Sequence, residues 1–142
     1  MADNEIVARW KGFAPQLLSV LRIVAAFIFI PSGTTKLFGW PVAMPQGVTA
    51  PWFSEIWFAG VIETFGGALL LIGLCTRPIA FIAAGEMAVA YFQYHAPKAF
   101  WPSVNQGTAA ALFCFIWLYV SSAGPGPWSV DAAIRSSAGS RR

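Results

Sequence analysis

Four long runs of apolar residues alternate with short polar or proline-rich segments along the chain. The runs cover residues 16–36, 56–74, 78–95 and 106–123. A helix that crosses a bilayer needs about 20 mostly apolar residues, with a range of about 17–25. The pattern therefore predicts four membrane-spanning helices. The turn between the second and third is so short that those two helices must be antiparallel neighbours.

Helix-breaking and helix-capping residues mark the boundaries of these runs. Thr76 and Pro78 are placed as the capping hydroxyl and the first-turn proline of the third helix. Asn105 is placed to cap the fourth helix, which should end at the Gly-Pro repeat that begins at Gly124. Pro31 removes a backbone donor inside the first run, so we expect a kink or an early end of regular helix there.

The composition agrees with an all-α integral membrane four-helix bundle, formed as one domain by residues 1–142. Hydrophobic residues make up 57% of the chain and charged residues only 11%, whereas soluble domains contain about 25% charged residues. This argues against a soluble enzyme. The net charge of +3 does not indicate nucleic-acid binding, because the basic residues lie at the ends of apolar runs and not in a patch with exposed aromatic residues.

The basic residues also predict how the bundle is oriented. Six of them fall on the side of the two termini and two on the other side: Arg9, Lys11, Arg77, Arg135, Arg141 and Arg142 against Lys36 and Lys98. Cytoplasmic segments carry the excess of Lys and Arg. Both termini are therefore predicted to be cytoplasmic, with residues 128–142 as a cytoplasmic tail. Arg22 interrupts the first run and no clean cleavage site follows, so we interpret that run as an uncleaved helix and not as a secretory signal.

Ionisable residues inside the predicted spans are the candidate functional groups. Arg22, Glu63 and Glu86 lie well inside their spans, where a charge costs at least about 2.5–3.5 kcal/mol. Lys36 and His95 lie near span ends on the non-cytoplasmic side, where they can meet a quinone headgroup or an anion. Arg22 and Lys36 share one helical face, so one pocket can use both. Arg22 can also pair with one of the two acids.

Each candidate also has a purely structural interpretation. A buried Arg–Glu pair can do no more than fix the register of two helices, and His95 can be a solvated interfacial residue. Small residues next to Glu63 and Glu86 predict that both acids face the bundle interior. Cys75 and Cys114 have no C-x-x-C spacing and the chain has one His, so we expect packing cysteines and no zinc-type site.

Several short motifs, taken in order, resemble the DoxX family of small four-span membrane proteins. Within residues 16–131 they are Leu21-Arg22, Gly33, Lys36–Trp40, Glu63–Gly67, Leu69–Arg77, Glu86-Met87, His95, Asn105–Gly107 and Gly124–Asp131. The resemblance marks Arg22, Lys36, Glu63, Arg77 and His95 as candidate site positions, with Gly33, Gly66 and Gly67 as further motif positions. It assigns no chemistry to any of them.

The resemblance implies a role beside a redox partner. The family includes the DoxD-type subunit of thiosulfate:quinone oxidoreductase, and other members are linked to thiol and oxidative-stress systems. The expected function is a subunit in the bacterial cytoplasmic (inner) membrane that passes electrons from a soluble or membrane partner to quinone. The chain has no thiol pair and no flavin or haem motif, so any catalysis should need that partner. The alternatives are a non-catalytic scaffold or small-solute carrier, and a transporter, which with four spans would need to form a homo-oligomer.

Overall fold

The computed structural model describes residues 2–139, and every regular element in that range is helical, as the all-α prediction requires. The helices are α1 (Ala2–Gly12), α2 (Ala14–Phe38), α3 (Glu55–Ile72), α4 (Thr76–Ala90), α5 (Thr108–Ala123) and α6 (Val130–Gly139). Helix α3 contains a π-helical segment at Ile62–Gly66, and α4 continues as a second one at Tyr91–His95.

The four predicted spans coincide with α2, α3, α4 and α5 to within a few residues. Helices α2 and α3 are long and apolar enough to cross a membrane, and α5 is a shorter apolar helix. The predicted tail contains α6. Arg141 and Arg142, two members of the predicted cytoplasmic basic group, lie outside the described residues.

Helices α2 to α5 pack around one core built largely from small residues. Helix α2 lies along α3, and α4 lies along α5. The core residues with the least exposed surface are Ala26, Phe29, Leu70, Ala80, Ala83, Trp117 and Val120. Many large apolar side chains lie instead on the outer faces, where Phe27 and Phe115 are each 70% exposed. An apolar outer surface of this extent is typical of a protein surrounded by lipid.

Helices α2 and α3 approach each other closely at two glycines. A β-carbon on Gly33 would lie 2.6 Å from the backbone nitrogen of Thr64 and 2.7 Å from the carbonyl oxygen of Gly60. A β-carbon on Gly67 would lie 2.8 Å from Cγ1 of Ile30. The absence of a side chain at both positions therefore sets the spacing of these two helices.

Regular helix continues through Pro31 to Phe38, so the early end expected at this proline does not occur. Proline is tolerated in membrane helices because neighbouring helices and hydroxyl side chains satisfy the freed backbone groups. One turn later the Thr34 hydroxyl donates to the Pro31 carbonyl at 3.3 Å, a further bond within this part of the helix.

The two ends of the bundle differ in construction. The terminal end comprises the starts of α2 and α4, the ends of α3 and α5, and α6. The loop end comprises residues 39–54, which include a short 3-10 turn at Pro45–Gly47, and residues 96–107.

Arg22 is fully buried near the terminal end and binds the chain segment that follows α5. Its guanidinium donates from Nε to the carbonyl of Pro125 at 2.9 Å. It also donates to three further backbone carbonyls, those of Leu70, Leu71 and Trp128. One side chain of α2 thus ties the end of α3 to the segment between α5 and α6.

Helix α4 begins at Thr76, but the predicted cap by the hydroxyl of Thr76 is wrong. The carboxylate of Asp131 in α6 accepts the backbone N–H groups of Cys75 and Thr76, each at 2.9 Å. Burial alone would raise the pKa of Asp131, but these hydrogen bonds and the charge of Arg135 hold that pKa below its ordinary value. The cap therefore comes from the far end of the chain and fixes α6 to the turn between α3 and α4.

We expect Asp131→Ala to lower the free energy of unfolding by about 0.5–2 kcal/mol, the usual cost of losing a helix N-cap. Because the pKa of Asp131 is lowered in the folded state, its contribution is complete at neutral pH and is lost as the pH falls below about 4. Thermal unfolding in detergent should show a difference between the wild type and the variant that is constant near neutral pH and narrows in acid. Asp131→Asn keeps one acceptor oxygen, as the protonated acid does, so it should lie between the other two at neutral pH and close to the wild type in acid. A difference between the wild type and Asp131→Ala that is the same in acid as at neutral pH would contradict this account.

Candidate functional site

A cavity of about 750 Å³ lies between α2, α3, α4 and α5, mostly in the half of the bundle nearest the loop end. Its walls are mostly apolar and include Phe29, Ile62, Met87 and Phe113. Small-molecule sites in proteins have volumes of about 300–1,000 Å³ and combine apolar walls with a few polar groups. The size and the lining of this cavity both fit that description.

Lys36, Ser32 and Glu63 form one hydrogen-bonded network in the wall of the cavity. The Lys36 ammonium forms an ion pair with Oε2 of Glu63 and donates to the Ser32 hydroxyl at 3.2 Å. Ser32 donates in turn to Oε1 of Glu63, also at 3.2 Å. The side chain of Glu63 is 1% exposed and that of Lys36 is 23% exposed. Both carboxylate oxygens of Glu63 are therefore occupied, whereas the ammonium has a third N–H available to a ligand.

Glu86 lines the same cavity from α4. Lys36 and Glu63 line it from α2 and α3. Within the described part of the chain, its Oε2 atom is buried and has no hydrogen-bond partner. The ammonium of Lys36 thus shares the cavity with two carboxyl groups, those of Glu63 and Glu86, and forms an ion pair with Glu63.

The loop-end rim of the cavity carries Glu55, Tyr94 and His95. The Tyr94 hydroxyl donates to Oε2 of Glu55 at 3.3 Å. Nδ1 of His95 lies 3.0 Å from the carbonyl oxygen of Asn105. Because a carbonyl only accepts, Nδ1 of His95 carries a hydrogen and donates it to Asn105. Asn105 itself accepts the N–H of Gly107 at 2.7 Å, so it shapes the turn before α5 and does not occupy the predicted cap position.

Both π-helical segments carry residues of the site. Ile62–Gly66 contains Glu63, and Tyr91–His95 contains Tyr94 and His95. Such segments are rare and occur frequently at functional sites. The two irregular turns of the long helices therefore coincide with the polar part of the cavity.

The cavity also reaches the outer surface of the bundle between α3 and α4. These helices contact each other at the terminal end and at the π-helical segment of α3. Phe58 of α3 and Val89 of α4, nearer the loop end, line the cavity and are themselves exposed. Phe81 and Ile82, in the first half of α4, are exposed lining residues as well. A ligand in the cavity therefore has an apolar exit toward lipid.

Four of the five predicted polar site residues line this cavity, namely Lys36, Glu63, Glu86 and His95. Arg22 lies toward the terminal end and donates to backbone carbonyls, so it shares no pocket with Lys36. Among the described residues, the alternative in which Arg22 pairs with one of the acids is not found, and Glu63 pairs with Lys36 instead. The prediction that Glu63 and Glu86 face the bundle interior is confirmed for Glu63, which is buried and paired with Lys36 of α2. Glu86 is half-buried and lines the cavity.

The other motif positions lie outside the cavity. Gly33 and Gly67 lie at the α2–α3 contact described above, and a β-carbon on Gly66 would lie 3.4 Å from a side chain of α4. Arg77 is exposed and donates to two carbonyls in the last turn of α5. These four residues hold helices together and do not face the cavity.

Sequence reasoning did not find Ser32, Glu55 or Tyr94. Ser32 lies one helical turn before the lysine, and this i,i+4 spacing of polar residues in an apolar helix is a signal that identifies it. Glu55 and Tyr94 lie at span ends, where polar residues are ordinary and carry no such signal. Cys75 is exposed and Cys114 is half-buried, and neither lines the cavity.

Comparison with known proteins identifies relatives of the chain. The family model described as DoxX matches residues 17–96. This range includes the four predicted site residues that line the cavity, Lys36, Glu63, Glu86 and His95. A protein of Haemophilus influenzae described as "Uncharacterized protein" is 40% identical over 124 residues, covering 85% of this chain and 92% of that protein. No solved structure matches the chain.

Proposed function

The chain belongs to the DoxX family of membrane proteins, and on this premise we propose that its cavity binds the headgroup of a quinone. The observation that carries the proposal is a largely apolar cavity with the Lys36–Ser32–Glu63 network in its wall. A quinone headgroup presents carbonyl oxygens, and the ammonium of Lys36 has an N–H group to donate to one of them. The exposed apolar residues between α3 and α4 provide a path along which the isoprenoid chain reaches lipid.

The role that follows is the membrane subunit of a quinone-linked sulfur or thiol oxidoreductase, or of an oxidative-stress system of that kind. A soluble or membrane redox partner oxidises the sulfur or thiol compound and supplies two electrons. The quinone in the cavity accepts them and, with two protons, becomes a quinol. This chain contributes the binding site in the bilayer and the groups that surround the headgroup.

In the proposed topology α2 to α5 cross the bacterial inner membrane and the terminal end faces the cytoplasm. The distribution of basic residues supports this orientation. Lys36, one of the two basic residues on the loop side, is paired with Glu63 in the cavity. The loop end also carries the exposed side chains of Trp40, Trp52 and Trp101, as expected for a belt at a membrane interface. A reporter fused to the C-terminus and one inserted at Gln46 should report opposite sides. The same side for both would contradict the topology.

We expect the purified protein in detergent to bind decylubiquinone, and Lys36→Met to weaken that binding by about tenfold or more. A hydrogen bond from a charged donor contributes about 1.5–3 kcal/mol, and each 1.4 kcal/mol is about tenfold. Isothermal titration calorimetry measures both dissociation constants.

Two further variants serve as controls for that titration. Lys98→Met removes the exposed lysine of the loop end and should bind like the wild type. Lys36→Met combined with Glu63→Gln leaves no unpaired charge in the wall, so the double variant should fold and still bind weakly. Wild-type affinity in the double variant would contradict the proposal, and absence of binding to the wild type would favour the scaffold or carrier function.

A further inference from the structure

The cavity has polar groups toward one end of the bundle only. Toward the loop end its rim carries Glu55, Tyr94 and His95, of which Glu55 and Tyr94 are exposed. Toward the terminal end, Leu70 and Trp117 are fully buried in the core and do not line the cavity. The polar rim groups therefore favour the loop end as the side from which water and protons enter the cavity.

The two acids of the cavity are held differently. Glu63 accepts hydrogen bonds on both oxygens and has Lys36 as its counter-ion. Glu86 has a buried oxygen without a partner in the described structure, although it lies in the same cavity. An unpaired charge in an apolar site is costly, and such a group takes up a proton instead.

The ionisable groups around Glu86 come from three helices. Helix α2 contributes Lys36, α3 contributes Glu55 and Glu63, and the extension of α4 contributes Tyr94 and His95. The cavity residues of α5 are not ionisable. Lys36, the one ammonium group among these cavity residues, is paired with Glu63, so Glu86 is left as the acid that can hold a proton.

We infer that Glu86 is the group that exchanges a proton with the bound ligand, and that it exchanges protons with the loop-end side of the membrane. The identification of that ligand as a quinone rests on the proposed function. The assignment of the proton to Glu86, and of its exchange to the loop-end side, does not. Glu63 remains the counter-ion of Lys36 and positions its ammonium.

The proton step is balanced as follows. The redox partner that oxidises the sulfur or thiol compound supplies two electrons to the quinone. The O–H bond of Glu86 breaks and an O–H bond forms on one headgroup oxygen. The Glu86 carboxylate then regains a proton from loop-end water, past His95 and Tyr94, and transfers it to the second oxygen. A second proton from loop-end water restores the O–H bond of Glu86. The overall reaction joins one quinone, two electrons and two protons into one quinol, with Glu86 returned to its protonated form.

Dicyclohexylcarbodiimide, which reacts with protonated carboxyl groups in apolar sites, provides the test. The wild-type protein in native membrane vesicles is treated, and mass spectrometry locates the label. We expect label on Glu86 and not on Glu63, and loss of the cavity label in Glu86→Gln. In Lys36→Met, which removes the counter-ion, label should appear on Glu63 as well. Label on Glu63 of the wild type, or none on Glu86, would overturn the inference.

Vesicles of the two orientations test the sidedness. Making the bath alkaline should abolish labelling of Glu86 in right-side-out vesicles, where the bath meets the loop end, and should leave it unchanged in inverted vesicles. The reverse result would overturn the inference.

Added decylubiquinone separates this inference from the proposed function. Protection of Glu86 from the label supports both. Sided labelling of Glu86 without protection supports the inference and contradicts the quinone site. Protection of a label that lies on Glu63 contradicts the inference and leaves the quinone site standing.

Discussion

Arg22→Met should lower the free energy of unfolding by at least about 3 kcal/mol, because it removes the donor for four backbone carbonyls and leaves buried acceptors at about 1–3 kcal/mol each. The guanidinium is fully buried, so water cannot replace it without opening the terminal end. Arg22→Lys should lose most of the same stability, because an ammonium group cannot reproduce the planar fork of donors. Thermal unfolding in detergent and the protein level in the membrane measure the effect.

Arg77→Met is the matched control for Arg22→Met. Arg77 also donates to two backbone carbonyls, those of Ser121 and Ser122, but it is exposed. Water can therefore take its place, and the loss should stay within about 0.5 kcal/mol. Equal losses from the two arginine variants would show that burial of the guanidinium is not what makes Arg22 important.

Gly33→Ala should also destabilise the protein strongly, by about 1–3 kcal/mol or more. The new β-carbon would lie 2.6 Å and 2.7 Å from backbone atoms of Thr64 and Gly60, and backbone atoms cannot move aside as the end of a side chain can. Helices α2 and α3 would have to separate. Because Lys36 and Glu63 lie on these two helices close to the contact, quinone binding should weaken together with stability.

Gly85→Ala provides the comparison within the same bundle. Gly85 lines the cavity from α4, and a β-carbon there would meet no atom within 4 Å. Alanine has a higher helix propensity than glycine by about 1 kcal/mol. The Gly85 variant should therefore be as stable as the wild type or more stable. Destabilisation of both glycine variants to the same extent would show that the close contact between α2 and α3 is not what makes Gly33 important.

The positions of α2 to α5 were predictable because they depend on local features. Long apolar runs require helix in lipid, and the glycines and prolines between the runs end it. The ends of the helices were less predictable, because their hydrogen-bond partners come from distant parts of the chain. The start of α4 is capped by Asp131, which no spacing near Thr76 reveals.

In the candidate site, too, the features that depend on local sequence were predictable and those that depend on distant residues were not. Arg22, Lys36, Glu63 and Glu86 were recognisable as charges in apolar helices, whatever the fold. Which of them meet depends on the depth of each residue and the direction of each side chain. Lys36 lies 27 residues before Glu63 and reaches it, whereas Arg22 reaches backbone carbonyls near the other end of the bundle. The π-helical segment at Ile62–Gly66, which carries Glu63, could not be predicted from the pattern of apolar residues.

Photo-crosslinking with an azido-substituted quinone tests the central claim most directly, because it reports where in the molecule the headgroup lies. Membranes containing the wild-type protein are irradiated with the probe, and the labelled residues are located by mass spectrometry with and without excess decylubiquinone. We expect label on cavity residues such as Ile62, Met87 and Phe113, and its loss with the competitor. Label confined to lipid-facing residues such as Phe27 and Phe115, unchanged by the competitor, would contradict it.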